Sequence, residues 1–309
     1  MNKEPAKSEK FRINAKFTKN ARSAWGEIIG KAAKGEKKKV LLPAYIGYTE
    51  REGSGVFDPV ESHDANFCFY KLNDSLSPDL NDLEEKLTCD IDIVLVIHYF
   101  GFCRTDPFLI KEMCKKNKIV MVEDCAHAFY LEGNPLKIGE VGDYSFYSIH
   151  KYLPTQTGGL LRINNASESI SIAQHSSIVD FAVVEEFALT DFSKIADTRR
   201  ENYRRYEEKL ATVNGISTLY KLNDYEIPQS FPIIVGAGLR EKLYFHLMER
   251  DMPTTALYYR LIDQIKISEH PKSHLISQSI LNLPVHQDVV QNDVDCLCSE
   301  ISKFMRNFV

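Results

Sequence analysis

The sequence has no excess of basic residues. Its 38 lysines and arginines are outnumbered by 43 aspartates and glutamates, which gives a formal net charge of −5 and a pI near 6.0. Because nucleic-acid binders present a basic patch, we expect no nucleic-acid partner. Only the first forty residues are locally basic, and we interpret residues 1–17 as a solvated, partly disordered lead-in.

Long apolar runs and paired-cysteine motifs are also missing. The longest apolar stretch, residues 91–102, is interrupted by an aspartate, a histidine and a glycine, so it is too short and too polar to span a bilayer. We expect no membrane association, and no signal peptide is recognisable. The seven cysteines form no CxxC pair and are typical of reduced thiols in a cytoplasmic protein. Cys296 and Cys298 have no further ligand cluster beside them, so no metal site is predicted.

Internal repeats and low-complexity linkers are absent too. The chain has 309 residues, of which 44% are hydrophobic, enough to bury one large core and a smaller one. We therefore predict two lobes.

Two neighbouring strand ends dominate the middle of the sequence. The apolar run at 119–122 ends abruptly in Glu123 and Asp124, as a buried parallel strand does at its carboxyl edge, where ligand sites lie. A second short strand, predicted at 143–147, is followed by Ser148 and Lys151. The glycine pair at 158–159 then permits a tight turn into a strand at 160–163. Adjacent strand ends are thus predicted to present a carboxylate and a lysine.

The surrounding pattern indicates a mostly parallel sheet. A strand at 92–98, an amphipathic helix at 107–117 and the strand at 119–122 form a βαβ unit. Hydrophobic periodicity predicts further helices at 19–34, 79–87, 192–210, 241–250 and 293–308, weaker ones at 167–175 and 180–187, and strands at 39–42, 56–57, 68–70, 229–235 and 281–285.

The predicted helix at 192–210 carries a cluster of arginines. Its members are Arg199, Arg200, Arg204 and Arg205. Such a cluster can bind a phosphate, but we interpret it as a solvated helix face with i,i+4 charge pairs.

A lysine and a carboxylate at neighbouring strand ends have a specific chemical use. Pyridoxal phosphate (PLP) is held by a Schiff base to a lysine, and its ring nitrogen needs an acidic partner. The chain resembles the DegT/StrS-type sugar aminotransferases of the fold-type I (aspartate aminotransferase) superfamily. The matching signature, in order, is Glu123-Asp124, His127, Gly142-Asp143, Tyr144-Ser145-Phe146, Lys151 and Gly158-Gly159.

The resemblance implies an architecture and an assembly. The expected fold is α/β: a fold-type I PLP-dependent transferase with a mostly parallel central sheet flanked by helices and a smaller α+β C-terminal lobe. We place a PLP-binding domain at 18–190 and the small domain at 191–309. A homodimer with the cofactor at the subunit boundary is expected.

The resemblance also assigns roles. Lys151 would carry the cofactor, Asp124 would hold the pyridine nitrogen protonated and His127 would stack on the ring. Taken alone, each residue also has an ordinary structural interpretation. Lys151 is then a surface lysine, Asp124 a helix cap and His127 a packed core histidine. Ser148 is a candidate for the cofactor's phosphate, and Tyr45 for the wall of the site.

Two departures from the family pattern concern the phosphate. Relatives have a Ser-Gly-Thr or Ser-Gly-Arg turn where this chain has Asn20-Ala21-Arg22 at the start of a helix. Free N–H groups at a helix N-terminus bind phosphate whatever the side chains, so we retain these three residues as cofactor-binding candidates. A Gly-x-Asn-x-Arg stretch that relatives carry is missing between Asn164 and Asp197.

The resemblance implies a PLP-dependent aminotransferase that moves an amino group from an amino-acid donor, glutamate, to a keto-sugar attached to a nucleotide, for surface polysaccharide or amino-sugar biosynthesis. One alternative is a degenerate homologue that binds without catalysis. Another is a sugar dehydratase of the same fold, in which a histidine replaces the lysine; His150 precedes Lys151, but the glycine spacing selects Lys151.

Overall fold

The fold is described from a computed structural model, and the description covers residues 15–31, 38–129, 131, 134–164 and 180–308. A seven-stranded sheet forms the larger part. Its strands are β1 (Ala15–Thr18), β2 (Lys39–Pro43), β3 (Asn66–Tyr70), β4 (Ile93–Ile97), β5 (Val120–Cys125), β6 (Tyr144–Ser148) and β7 (Gly159–Ile163).

The strand order in this sheet is β1-β7-β6-β5-β4-β2-β3. The five strands from β3 to β6 in this order run parallel, whereas β7 and β1 close the other edge in antiparallel pairing. The fold class predicted from the sequence is confirmed.

A smaller antiparallel sheet follows in the C-terminal part. It contains β8 (Ile216–Thr218), β9 (Ser230–Val235) and β10 (Ile280–Pro284), in the order β10-β9-β8. The helices in the described ranges are α1 (Ala21–Lys31), α2 (Phe57–Ser62), α3 (Leu80–Lys86), α4 (Pro107–Asn117), α5 (Phe181–Leu189), α6 (Phe192–Leu210), α7 (Arg240–Met248), α8 (Pro271–Ser279) and α9 (Gln291–Arg306).

Local sequence signals explain the crossover from β4 to β5. The Asp106 side chain accepts hydrogen bonds from the first N–H groups of α4, and Pro107 occupies its first turn. The helix ends at Asn117, and its C-cap residue Lys118 adopts a left-handed conformation with φ of 56°. Ile97 and Asp124 are then partners in the register of β4 and β5, so Asp124 arrives at the carboxyl edge of the sheet.

Trp25 fixes α1 against this sheet. Its ring is fully buried and stacks on Phe146 of β6 at a centroid distance of 5.8 Å. Its Nε1–H donates to the Val56 carbonyl at 2.9 Å, which satisfies the indole's polar atom. The N-terminus of α1 is thereby held beside the end of β6.

Several predictions of local structure need correction. The strand predicted at 56–57 is wrong: α2 begins there, because Ser54 accepts a hydrogen bond from the Phe57 N–H and Asp58 accepts one from the Ser54 N–H. The pattern also missed β8 and α8. β1 begins at Ala15, so the last three residues of the predicted lead-in belong to the sheet.

Other predictions are confirmed or remain open. The helices at 107–117 and 192–210 have the predicted bounds. The weak helix at 167–175 and residues 1–14 of the lead-in lie outside the described residues. The domain boundary at 190/191 stays a prediction. In the described ranges, every helix is too short or too polar to cross a membrane.

Candidate active site

Lys151 lies in a short 3₁₀ turn, Ile149–Lys151, directly after β6. Its side chain lines a cavity of about 1230 Å³ at the carboxyl edge of the large sheet. Burial lowers the pKa of its amine to about 8, although the negative charges of Asp124 and Glu52 act in the opposite direction. At neutral pH a usable fraction of this amine is uncharged, as a nucleophile requires.

Asp124 stands on the neighbouring strand and faces the same cavity. Its side chain is 4% exposed, and its Oδ1 accepts a hydrogen bond from the Ala126 N–H at 2.8 Å. Burial raises the pKa of the carboxyl to about 6, opposed by that hydrogen bond and by the positive charge of Lys151. A cationic ring nitrogen entering the cavity would offset the cost of burying this charge.

His127 is fixed in one tautomer between aromatic rings. Its Nδ1 accepts a hydrogen bond from the Phe100 N–H at 3.4 Å, which leaves the proton on Nε2. Burial, together with the positive charge of Lys151, holds its pKa well below the usual value, so the ring is neutral. It stacks on Phe100 with centroids 5.9 Å apart, and one edge meets Tyr258 at 5.8 Å.

The N-terminus of α1 borders the same cavity through Asn20, Ala21 and Arg22. The Asn20 side chain accepts a hydrogen bond from the Ser23 N–H at 2.8 Å, which caps the helix. Arg22 pairs with Asp58 at 3.3 Å, and its guanidinium stays partly exposed at the cavity wall.

Gly159, the second residue of the glycine pair, occupies a position where only glycine fits. A Cβ at this position would lie 2.3 Å from the Asn20 carbonyl carbon, so only glycine lets β7 start beneath the N-terminal turn of α1. Ser148, which pairs with Gly159 in the sheet, is buried at the cavity wall, with its hydroxyl 3.3 Å from His150 Nδ1.

Tyr45 is placed differently from the expectation. Its ring is fully buried and packs against Tyr258 at 5.0 Å and Tyr99 at 5.4 Å. It is absent from the cavity lining, whereas Tyr258, against which it packs, lines the cavity. The structure therefore places Tyr45 one layer behind the wall.

Tyr258 is a wall residue that the sequence did not single out by itself. It adopts a left-handed backbone conformation, with φ of 60°. A Cβ on Gly47 would lie 2.8 Å from its ring, so the two positions depend on each other. The sequence does carry one signal for this position, because the segment 252–259 resembles the Gly-x-x-x-x-Tyr/His segment in the small lobe of DegT/StrS-type proteins. Glu52 and Arg240 also line the cavity, and no pattern in the sequence pointed to either.

These residues fit PLP. One cavity holds a lysine amine with a lowered pKa, a buried carboxylate on the adjacent strand and a helix N-terminus that can receive a phosphate. In the described ranges, no group of three or more histidines, cysteines or carboxylates comes together as a metal site.

Comparisons with known proteins agree with this chemistry. The model of the DegT/DnrJ/EryC1/StrS aminotransferase family matches residues 60–177 and 181–302. GDP-perosamine synthase from Escherichia coli O157:H7 is 21% identical over 260 residues, which cover 75% of this chain and 71% of that protein. UDP-4-amino-4-deoxy-L-arabinose–oxoglutarate aminotransferase from Shewanella sediminis is 25% identical over 286 residues, covering 76% and 73%.

Solved structures show the same fold. The aminotransferase TlmJ from Streptoalloteichus hindustanus superposes with a TM-score of 0.78 at 20% identity, covering 96% of this chain and 87% of that one. Helicobacter pylori PseC, an aminotransferase of pseudoaminic acid biosynthesis, gives 0.78 at 14% identity, covering 95% and 87%.

Proposed function

The chain belongs to the DegT/DnrJ/EryC1/StrS aminotransferase family, whose members depend on PLP, and from this premise we propose that it transfers an amino group from glutamate to a keto carbon of a nucleotide-linked sugar. The observation that carries the proposal is the placement of Lys151 and Asp124 on adjacent strand ends of one cavity. When bound, PLP supplies an electrophilic carbon and a ring that takes up the charge left by proton removal.

We assign the central steps to three side chains. Lys151 would hold the cofactor through its Nζ and, as a free amine, would carry the proton between the substrate carbon and the cofactor. Asp124 would hold a proton on the cofactor's ring nitrogen, because its buried carboxylate favours a positive partner. Neutral His127 would pack against the cofactor and exclude water.

The phosphate is assigned to Asn20, Ala21, Arg22 and Ser148. The N-terminal turn of α1, whose free N–H groups can receive a phosphate, borders the cavity, and the Arg22 guanidinium adds a positive charge. Because Arg22 already pairs with Asp58, its guanidinium would have to contact both Asp58 and the phosphate. Part of the stretch that lacks the family's Gly-x-Asn-x-Arg motif lies outside the described residues.

The relatives' names support the donor and the substrate class. The Shewanella sediminis protein is named for a UDP-linked amino sugar and oxoglutarate, and oxoglutarate is the keto acid formed from glutamate. The Escherichia coli protein is a GDP-perosamine synthase. We propose that the product enters surface polysaccharide such as O-antigen, and that the protein works in the cytoplasm. The family supports the aminotransferase over both alternatives considered from the sequence.

The test determines whether PLP becomes attached to Lys151. Protein incubated with PLP should show a visible absorption band. Borohydride should reduce the bond between PLP and the protein to a permanent one, so that the peptide containing Lys151 carries PLP as a covalent label. Glutamate alone should then convert the unreduced protein to the pyridoxamine form, and a nucleotide keto-sugar should restore the band. Folded protein that never acquires the band would refute the proposal, and a label on another lysine would move the site.

A homodimer is also proposed, because the resemblance places the cofactor at a subunit boundary. Light scattering at micromolar concentration should give twice the 35.4 kDa chain mass. An active monomer would refute it.

A further inference from the structure

Arg199 of α6 is a buried cation next to the lysine turn. Its side chain is 1% exposed, and its guanidinium contacts neutral acceptors. Nη1 donates to the carbonyls of Pro228 and Gln229 at 3.2 and 3.3 Å. Nη2 donates to the Lys151 carbonyl at 3.0 Å and to Gln287 Oε1 at 3.4 Å.

A buried arginine without a carboxylate in contact is costly. Burial lowers its pKa to about 10, so it remains charged at neutral pH, and the exposed Asp288 attracts it only from a distance. A well-packed apolar side chain often stabilises such a position as well or better. Simple core filling therefore does not account for Arg199, whereas its fork of donors matches several carbonyls at once.

Tyr152 connects Arg199 with the backbone of His127. The Arg199 guanidinium lies 4.4 Å from the centre of the Tyr152 ring. The Tyr152 hydroxyl donates to the His127 carbonyl. Gln287 Nε2 donates to the Tyr152 carbonyl at 2.8 Å. Two consecutive carbonyls, those of Lys151 and Tyr152, are thus held by side chains from the C-terminal part of the chain.

The same cluster reaches the short 3₁₀ turn Tyr99–Gly101 that follows β4. Pro228 and Gln229 immediately precede β9, and the Gln229 N–H donates to the Phe100 carbonyl at 2.8 Å. Phe100 is the residue whose N–H donates to His127. Arg199 therefore contacts both the lysine turn and the segment that docks beside His127.

We propose that Arg199 is a positioning residue, which acts with Tyr152 to fix the backbone of Lys151 and His127 relative to each other. The inference rests on the proposed roles of those two residues. Arg199 is not among the residues that line the cavity, so the role we assign to it is indirect. Its effect is geometric: a misplacement of about 1 Å in a catalytic group can cost on the order of 10²-fold in rate.

The experiment compares Arg199→Met and Arg199→Lys with Arg204→Met as the matched control. Arg204 lies on the same helix, but its side chain is half-exposed and pairs with Asp224 on the surface. Three quantities are measured: visible circular dichroism per bound PLP, kcat and KM for the glutamate half-reaction, and the thermal midpoint without cofactor. The dichroism reports the orientation of the cofactor on Lys151 and does not depend on turnover.

Arg199→Met should lower the dichroism per bound PLP at least twofold and kcat by about 10- to 100-fold, with KM within about threefold. Arg199→Lys, which keeps the charge but not the fork, should lie in between, and Arg204→Met should match the wild type. A folded Arg199→Met protein with unchanged dichroism and kcat would overturn the proposal.

If Arg199→Met does not fold, Arg199→Lys and Gln287→Leu decide the question, and wild-type dichroism in both would overturn it equally. Wild-type protein that forms no PLP band would instead refute the proposed function. The two failures are therefore distinguishable.

Discussion

Replacing Asp124 with asparagine should make the cofactor-free protein more stable and the enzyme nearly inactive. The side chain is 4% exposed, and burial raises its pKa from 3.8 to about 6. Asparagine keeps an oxygen for the Ala126 N–H and removes only the charge.

The magnitude follows from the pKa shift. A rise of about two units, at about 1.36 kcal/mol each, corresponds to about 3 kcal/mol. Because the folded-state pKa lies above the unfolded one, the ionised carboxylate destabilises the cofactor-free protein at neutral pH. This penalty is absent below about pH 4 and develops fully as the pH rises through 6. Asp124→Asn should thus be more stable than the wild type by up to about 3 kcal/mol at pH 7, and by little at pH 4.

Urea denaturation of both proteins without PLP, at pH 4 and pH 7, measures this difference. Turnover with PLP should fall by about 10²-fold or more, because an amide cannot hold a proton on the ring nitrogen. Asp92→Asn is the control for activity: Asp92 also accepts a backbone N–H bond, from Lys39, but lies at the opposite edge of the sheet. A stability difference that is equal at both pH values would refute the reasoning, as would normal turnover of Asp124→Asn.

Two further predictions test the lysine and the glycine pair. The rate of PLP attachment should fall about tenfold per pH unit below 8, because the pKa of the Lys151 amine is lowered to about 8; a flat profile between pH 6 and 8, followed by stopped-flow absorbance, would contradict this. Gly159→Ala should weaken PLP binding at least tenfold in equilibrium titration, since the new methyl group collides with Asn20. Gly30→Ala, on α1 but outside the cavity lining, should bind normally, because its added carbon would meet its nearest neighbour, His63, at 3.6 Å. Equal PLP affinities for the two variants would contradict this role of Gly159.

Local chemistry made part of the fold predictable. The helix at 107–117 could be predicted because its proline, its apolar spacing and its capping aspartate are all neighbours in the sequence. α2 was missed although its signal was local too, since the Ser54 N–H donates to Asp58 Oδ1 and the Phe57 N–H donates to Ser54 Oγ. β8 has three residues, all partly or fully exposed, and gives no apolar pattern.

The sequence by itself determined the order and identity of Asp124, His127 and Lys151, because strand ends and their spacing are properties of neighbouring residues. The tertiary structure decided which other residues join them. Arg199 belongs to a cluster interpreted as a solvated helix face, yet it is buried against the Lys151 carbonyl. Helical periodicity gives the angle of each arginine around the axis, but not which angle faces the lysine turn, since that depends on how α6 docks on segments far away in sequence.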